Sequence, residues 1–426
     1  MATIAPHSTV ATRLSSLLET VLQTPMPVRI RAWDGSTAGP ADAPTLIIRH
    51  KRAMRRIMWQ PNELGFARAY VAGEIDLEGD IYDALNRLAG LVWRSPEVKD
   101  LPVHIIAADL VRLGILGTQP KPPPEEMHVS GDRHSKRRDR QAVSQHYDVG
   151  NEFYRIVLGE SMVYSCAYWT SEAPGYGLAD AQRDKLDLIC RKLGLQPGER
   201  LLDVGCGWGS FAVHAAVNHG VHVTGITLSA PQAELARARA EEAGVADRVD
   251  IRVQDWRELL GERFDAIASI GMVEHVGNNQ IDAYAQRLRE LLEPDGRLLN
   301  HGIARVRHGD PEAGPFSERY VFPDAAPLHV GRVIGAFEVA GLPSDHIEGF
   351  QSDYAETLRH WAMRLDENLD RATELVGPER VRVWRLYLRA ARQGFVTGFT
   401  SIYQVRAAPP GVVLAPVGSE SATVGV

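Results

Sequence analysis

The stretch Leu201-Leu-Asp-Val-Gly-Cys-Gly-Trp-Gly209 constrains this chain more than any other. An apolar run (Leu201, Leu202, Val204) ends in a glycine-rich turn, and an apolar, helix-like stretch follows from Ser210. Strand, tight turn and helix is the layout of a nucleotide-type site at the carboxyl edge of a parallel sheet. Gly205, Gly207 and Gly209 lack Cβ atoms, so the backbone can turn sharply and a ligand can lie against it. Asp203 stands at the strand end, where a carboxylate can meet a cationic group. By spacing alone the turn fits a dinucleotide, a methyl donor or no ligand at all.

The surrounding pattern decides the fold class. Strands are predicted at 200–204, 221–226, 249–253, 264–270 and 297–303, with Glu293-Pro-Asp-Gly296 as a turn before the last. Helical periodicity separates them at 210–219, 230–243 and 280–292, and a helix over 179–193 precedes them with Leu186, Ile189, Cys190 and Leu193 on one face. This βαβ alternation predicts an α/β domain with a mostly parallel sheet covered on both faces. Residues 311–370 read as irregular, then helical, and 381–399 as a long amphipathic helix.

Residues 1–118 follow a different pattern and form an expected N-terminal accessory domain. Val28-Arg-Ile-Arg-Ala-Trp33 and Thr45-Leu-Ile-Ile-Arg49 read as strands, and the Asp34-Gly35 turn signal suggests a hairpin with a long connection. Helices are expected over 14–22, 64–72 and 80–93. Lys51, Arg52, Arg55 and Arg56 interleave with Met54, Ile57, Met58 and Trp59, which suits either a helix lying on an anionic bilayer or a core-facing helix with a polar side. Residues 119–140 read as a linker, first Pro-rich (Gln119-Pro-Lys-Pro-Pro-Pro124), then basic (Arg133-His-Ser-Lys-Arg-Arg-Asp-Arg140). The basic run is a solvated face or a patch for phosphate or membrane. The catalytic domain is expected over 141–407 and a mobile tail over 408–426.

The formal net charge of −7 argues against nucleic acid as the partner. Cys166, Cys190 and Cys206 have no metal-like spacing, so no metal is expected, and reduced thiols suit a cytoplasmic protein. There is no run of 18 apolar residues and no signal-peptide pattern, so membrane contact is expected to be peripheral.

Sequence around the turn selects its ligand. A dinucleotide site wants an acid at the tip of the second strand for the ribose. Here that strand ends Gly225-Ile-Thr-Leu228, with Thr227 and Ser229 at the tip. After the third strand comes Asp255-Trp256: an acid that can accept from an exocyclic amine and an indole that can stack on adenine. With Gly271-Met-Val-Glu-His-Val-Gly277 after the fourth strand, the order fits S-adenosylmethionine better than a nicotinamide dinucleotide.

Five stretches carry a resemblance: His146-Tyr-Asp-Val-Gly-Asn151, Tyr164-Ser-Cys-Ala-Tyr-Trp169, Leu202 to Gly209, Gly225 to Gln232 and Met272-Val-Glu-His-Val-Gly277. Together they are similar to the cyclopropane fatty acid synthase family, which includes mycolic acid methyltransferases. The match is dense from about 140 to 405 and looser before it. It implies a Rossmann-like class I methyltransferase with a seven-stranded sheet. It implies methylation of the double bond of an unsaturated acyl chain in a phospholipid, with bicarbonate as base. Carried over residue by residue, the bicarbonate ligands are Cys166, Glu274, His301, Ile303 and Tyr354. The donor is expected against Tyr164, Ser165, Asp203, Gly205, Gly207, Thr227, Leu228, Gln232, Asp255 and Trp256. Tyr164, Tyr168, Trp169 and Tyr354 are candidates to stabilise a carbocation. Asp148 is read as a helix cap.

The resemblance also implies an anionic phospholipid bilayer as partner, a homodimer, and peripheral association with the inner face of the membrane. The product is a cyclopropane or a methylene-branched chain, the latter needing a downstream reductase to become methyl-branched. Two rival classes share the donor site: an N- or O-methyltransferase of a small molecule, and a non-catalytic lipid-binding relative.

Overall fold

A computed structural model describes residues 8–92, 103–147, 149–307 and 314–417. Asp148, Trp93 and the end of the tail, 418–426, therefore lie outside the described residues. The chain divides into two compact units.

The first unit comprises Met1–Met127 together with two later segments, Gly314–Val321 and Val376–Ala390. It holds α1 (Val10–Leu22), β1 (Arg29–Arg31), β2 (Thr37–Ala38), β3 (Thr45–Ile48), α2 (Arg52–Trp59), α3 (Glu63–Val71), β4 (Ile75–Glu78), α4 (Ile81–Val92) and α5 (Val103–Arg112). Its sheet runs β2-β1-β3-β4. The expected hairpin of β1 with β3 is not formed: these two strands are parallel, and the antiparallel partner of β1 is β2. The physical reason is the turn at Asp34, whose carboxylate accepts from the backbone and hydroxyl of Ser36. The chain reverses there into β2, so β3 returns in the direction of β1.

Arg55 and Arg56 of α2 are tied down, whereas Arg52 stays exposed. Arg56 is buried and donates to both carboxylate oxygens of buried Glu74 and to the carbonyl of Lys121. Arg55 donates to the carbonyls of Gly114 and Ile115, and Arg52 pairs with Glu74 at 3.0 Å. A desolvated guanidinium needs such partners; Arg55 and Arg56 have them, while Lys51, Arg52 and Trp59 of the same cluster remain exposed. The later segments bring cations too: Arg382 lies over the Tyr70 ring at 4.1 Å and donates to the carbonyls of Tyr70 and Ile75.

The second unit begins with α6 (Lys136–Tyr147), α7 (Asn151–Leu158) and α8 (Leu178–Leu193). Then β5 (Arg200–Val204), α9 (Ser210–His219), β6 (His222–Thr227), α10 (Ala230–Glu242), β7 (Val249–Val253), β8 (Phe264–Ile270), α11 (Ile281–Leu291) and β9 (Leu292–Arg305) alternate. After α12 (Pro315–Tyr320), which belongs to the first unit, come α13 (Val330–Val339), β10 (Ser344–Gly349), α14 (Gln351–Glu367), α15 (Leu369–Val376), α16 (Pro378–Val396), whose residues up to Ala390 belong to the first unit, and β11 (Thr400–Ala407).

The sheet order is β10-β11-β9-β8-β5-β6-β7. Every pair from β9 to β7 is parallel; β11 and β10 add antiparallel strands at one edge. This is the expected seven-stranded α/β fold, with a switch point at β5. Leu201 and Leu202 are fully buried on opposite faces, each contributing roughly 1.5–3 kcal/mol. Glu293 to Gly296 do not turn ahead of β9 but bulge within it: Phe264 pairs with Leu292 and Ala266 with Arg297. The basic run from Arg133 leads into the first turns of α6, and Arg133, Lys136, Arg137 and Arg140 are exposed. Arg133 and Arg138 bind Asp324, and Lys136 binds Glu258.

Candidate functional site

The glycine turn has the geometry its sequence demands. Gly205, Gly207 and Gly209 take φ of 79°, 53° and 76°, a region L side chains avoid. A Cβ on Gly209 would also meet Ala236 Cβ at 2.8 Å, which lets α9 and α10 pack closely. Cys206 and Gly205 donate their N–H groups to the Ile226 carbonyl, tying the turn to β6.

Two adjoining pockets open at the carboxyl ends of the parallel strands. Tyr164, Ser165, Asp203, Lys185 and Trp208 line one. Thr227, Leu228, Asp255, Trp256, His146 and Phe322 line the other. Tyr147, Gly205, Gly207, Gln232 and Gly271 line both. All ten residues expected around the donor thus fall on one two-lobed cleft. Thr227 Oγ1 donates to Gln232 Oε1 at 2.7 Å, fixing the amide between the lobes.

The charges at the two ends differ. Asp203 is 1% exposed and its Oδ2 has no hydrogen-bond partner. Burial pushes its carboxyl up and pushes the equally buried Lys185 ammonium down, each opposing part of the other's shift. Lys185 Nζ donates to Ser165 Oγ at 2.8 Å. Asp255, by contrast, is held by Arg257, which donates to both of its oxygens, so it is ionised and oriented. Although burial raises it, the Arg257 bonds win and its pKa is lowered. Trp256 is packed edge-on against Tyr284 at 4.9 Å.

Beyond the cleft the structure gathers Cys166, His301 and Tyr354 around Phe350. The Cys166 thiol reaches the carbonyls of Ala167 (3.1 Å) and Phe350 (3.7 Å). His301 stacks on the Phe350 ring at 5.8 Å, and the Tyr354 N–H donates to the Phe350 carbonyl at 3.0 Å. Glu274 follows β8, and the Ile303 N–H of β9 donates to its carboxylate. Within this group, the buried His301 Nε2 and Glu274 Oε2 have no hydrogen-bond partner. Burial pushes the Glu274 carboxyl up to about 7 and holds His301 well below the usual imidazole range, with Lys185 and Lys192 adding to the latter. It also pushes the Cys166 thiol well up, so Cys166 stays a neutral thiol and a poor nucleophile.

The carbocation candidates separate. Tyr164 stacks with His146 and Phe322 and packs on Trp361 at 5.4 Å. Trp169 instead stacks on His360 and donates from its indole to Asp353 and Thr357. Sequence reading passed over Lys185, Lys192, Gln404 and Phe350. The two lysines had a signal: with Ile189 they sit at i, i+7 and i+4 of α8, charges inside an apolar stripe. Gln404 had none, because nothing marks a strand residue as facing a histidine on another strand. The structure also brings Cys190, His214 and His219 within 4.8 Å, from two helices whose spacing hides it. Both ring nitrogens of His214 are already engaged, by Asp187 at 2.8 Å and the Asn218 amide at 3.2 Å.

Residues 134–405 match the Mycolic acid cyclopropane synthetase family. The chain belongs to this family. A relative described as a probable fatty acid methyltransferase of Mycobacterium tuberculosis is 39% identical over 396 residues, covering 89% of this chain and 91% of the relative. The cyclopropane-fatty-acyl-phospholipid synthase of Escherichia coli is 33% identical, covering 86% and 88%. Among solved structures, mycolic acid cyclopropane synthase CmaA1 complexed with SAH and CTAB matches with a TM-score of 0.59 and 30% identity, over 63% of this chain and 98% of that one. This cyclopropane synthetase family member is accordingly an S-adenosylmethionine-dependent enzyme with a class I methyltransferase fold. Among its described residues no helix is long and apolar enough to cross a membrane.

Proposed function

We propose that the protein transfers a methyl group from S-adenosylmethionine to the cis double bond of an unsaturated phospholipid acyl chain, with bound bicarbonate as base. One observation carries the reading. A buried donor and a buried carboxyl oxygen, His301 Nε2 and Glu274 Oε2, stand without partners beside the donor cleft. Unmet polar atoms at such depth cost free energy and suit a small oxyanion.

S-adenosylmethionine supplies an electrophilic sulfonium methyl, and bicarbonate supplies a base. The protein does the rest. Asp203 Oδ2 suits the donor's ammonium, which would return its carboxyl to the charged form. The open backbone at Gly205 and Gly207 receives the methionine part, and Tyr164 and Ser165 cover it. Thr227, Leu228 and Gln232 line the ribose side, with Trp256 against the base and Asp255 at its amine. Once the alkene has attacked the methyl, positive charge lies on the acyl chain. Tyr164 and its aromatic neighbours offer their faces to it, and burial keeps out water that would trap it. His301 Nε2 and the Tyr354 hydroxyl are the proposed donors to the bound anion, Glu274 holds its proton, Ile303 positions Glu274 through its N–H, and Cys166 closes the wall as a thiol.

Loss of a proton from the new methyl closes a cyclopropane. A hydride shift that moves the cation to the methyl-bearing carbon, followed by loss of a proton from that methyl, instead leaves a methylene group, which a downstream reductase would convert to a methyl branch. Bilayer contact, as a peripheral protein on the inner face of the membrane, is assigned to the exposed Trp59, Ile105, Val111 and Leu116 of the first unit rather than to the engaged arginines of α2. A homodimer completes the proposal and is checked by sedimentation.

The test is incubation with methyl-labelled donor and vesicles of unsaturated anionic phospholipid. Label in the acyl chain supports the reading, and NMR of the product separates ring from methylene. His301→Ala and Glu274→Gln should each lower transfer on the order of 10²-fold or more while donor binding by calorimetry persists. Label in a small amine or alcohol with both variants active would overturn the reading, as would absence of donor binding.

A further inference from the structure

Buried Lys192 takes no part in the chemistry proposed above, yet it sits at one end of a chain of hydrogen bonds that ends on His301. Its ammonium is ion-paired to Glu348 and donates to Gln404 Oε1 at 2.6 Å. Gln404 Nε2 lies 3.0 Å from His301 Nδ1. Register makes the row possible: Glu348 of β10 pairs with Gln404 of β11, which pairs with His301 of β9. Lys192 reaches the row from α8 and lies over the Phe350 ring at 5.0 Å. Lys192 is 2% exposed, and Gln404 and His301 are fully buried.

The bonds along this row have only one consistent direction. An ammonium has donors and no acceptor, so the Gln404 atom facing it must be the carbonyl oxygen. The amide NH2 therefore faces His301 and donates, and Nδ1 must accept. A neutral imidazole that accepts at Nδ1 carries its proton at Nε2. The leftover atom is the one without a partner.

We propose that Lys192 and Gln404 are positioning residues that hold His301 as the Nε2–H tautomer, making it a fixed hydrogen-bond donor to the anion site and excluding it as the general base. The proposal rests on the function proposed above. It explains why a charge is buried in α8: a lone glutamine could turn its amide over, and Lys192 prevents that. It also assigns proton removal elsewhere, because Nδ1 is occupied and Nε2 already bears hydrogen.

The test uses the full-length protein labelled with [15N]histidine. The His301 signals, assigned among the 15 histidines by their loss in His301→Ala, report the tautomer directly. Wild type should show protonation at Nε2. Gln404→Glu keeps an acceptor for Lys192 but offers a carboxylate to Nδ1, so the proton should move to Nδ1. Lys192→Met frees the amide to turn and should give a mixture, which serves if Gln404→Glu fails to fold. In Gln404→Glu, kcat should fall on the order of 10²–10³-fold, as for loss of one preorganised donor, with the affinity for S-adenosylmethionine unchanged. The proposal is overturned if wild type is protonated at Nδ1, if neither variant changes the tautomer, or if the tautomer flips and kcat holds. Absence of methyl transfer by wild type would instead sink the function proposed above, since the tautomer is read without any substrate.

Discussion

Replacing Glu274 by glutamine should stabilise the protein above neutral pH while destroying its activity. Burial pushes this carboxyl from 4.5 up to about 7. The opposing pull comes only from backbone N–H groups, its own and that of Ile303. A folded-state pKa above the unfolded one means that the folded protein binds the proton more tightly. The resulting stability is fully present below pH 4.5 and is lost as the pH rises through about 7. The span from 4.5 to about 7, at 1.36 kcal/mol per unit, is about 3 kcal/mol. Glutamine keeps an oxygen for the Ile303 N–H and has no charge to desolvate. Denaturant unfolding of both proteins at pH 5 and pH 8.5 measures the difference. The variant should gain about 3 kcal/mol on wild type between the two pH values. Its methyl transfer should fall on the order of 10²–10⁴-fold, the usual worth of a proton-handling group. A pH-independent difference in stability would refute the argument that Glu274 is held protonated by burial.

Two further outcomes follow from the geometry. Trp256→Leu keeps the site apolar but removes the face offered to the base, so the Kd for S-adenosylmethionine by calorimetry should rise roughly 5- to 100-fold, the range of one base–aromatic stack. Arg56→Met strands Glu74 with only the exposed Arg52 as partner and should cost roughly 3 kcal/mol in denaturant unfolding, whereas Arg52→Met should cost less than about 1 kcal/mol.

Much of the second unit was legible because its strands alternate with helices at regular spacing and the glycine turn anchors them. The strands over 200–204, 249–253 and 264–270 are where periodicity puts them. β10 and β11 were not legible. Ser344-Asp-His-Ile-Glu-Gly349 is an edge strand with a polar face to either side, so it lacks the apolar signature of a strand. Thr400 to Ala407 buries Ser401, Gln404 and Arg406, and those polar residues break the pattern that would mark it. The same holds for the site. Cys166, Glu274 and His301 sit in recognisable stretches, but Gln404 and Lys192 act through partners about 100 or more residues distant, which local sequence does not encode. In the first unit, β1 and β3 read correctly as strands and wrongly as a hairpin, since the reversing strand between them is two residues long.

The first unit is not contiguous in sequence, and this sets a timetable for the growing chain. Residues up to Met127 are made early, but Gly314–Val321 and Val376–Ala390 belong to the same unit. From residue 127 to 390 is 390 − 127 = 263 residues, or roughly 13–50 s of synthesis at 5–20 residues per second. Through that interval the Tyr70 ring and the carbonyls of Tyr70 and Ile75 wait for Arg382. The second unit's central strands emerge during the wait. The domain that starts first on the ribosome is therefore finished only after all five parallel strands of the second unit, β5 to β9, have emerged, and a fragment cut at residue 118 lacks the segments that complete it.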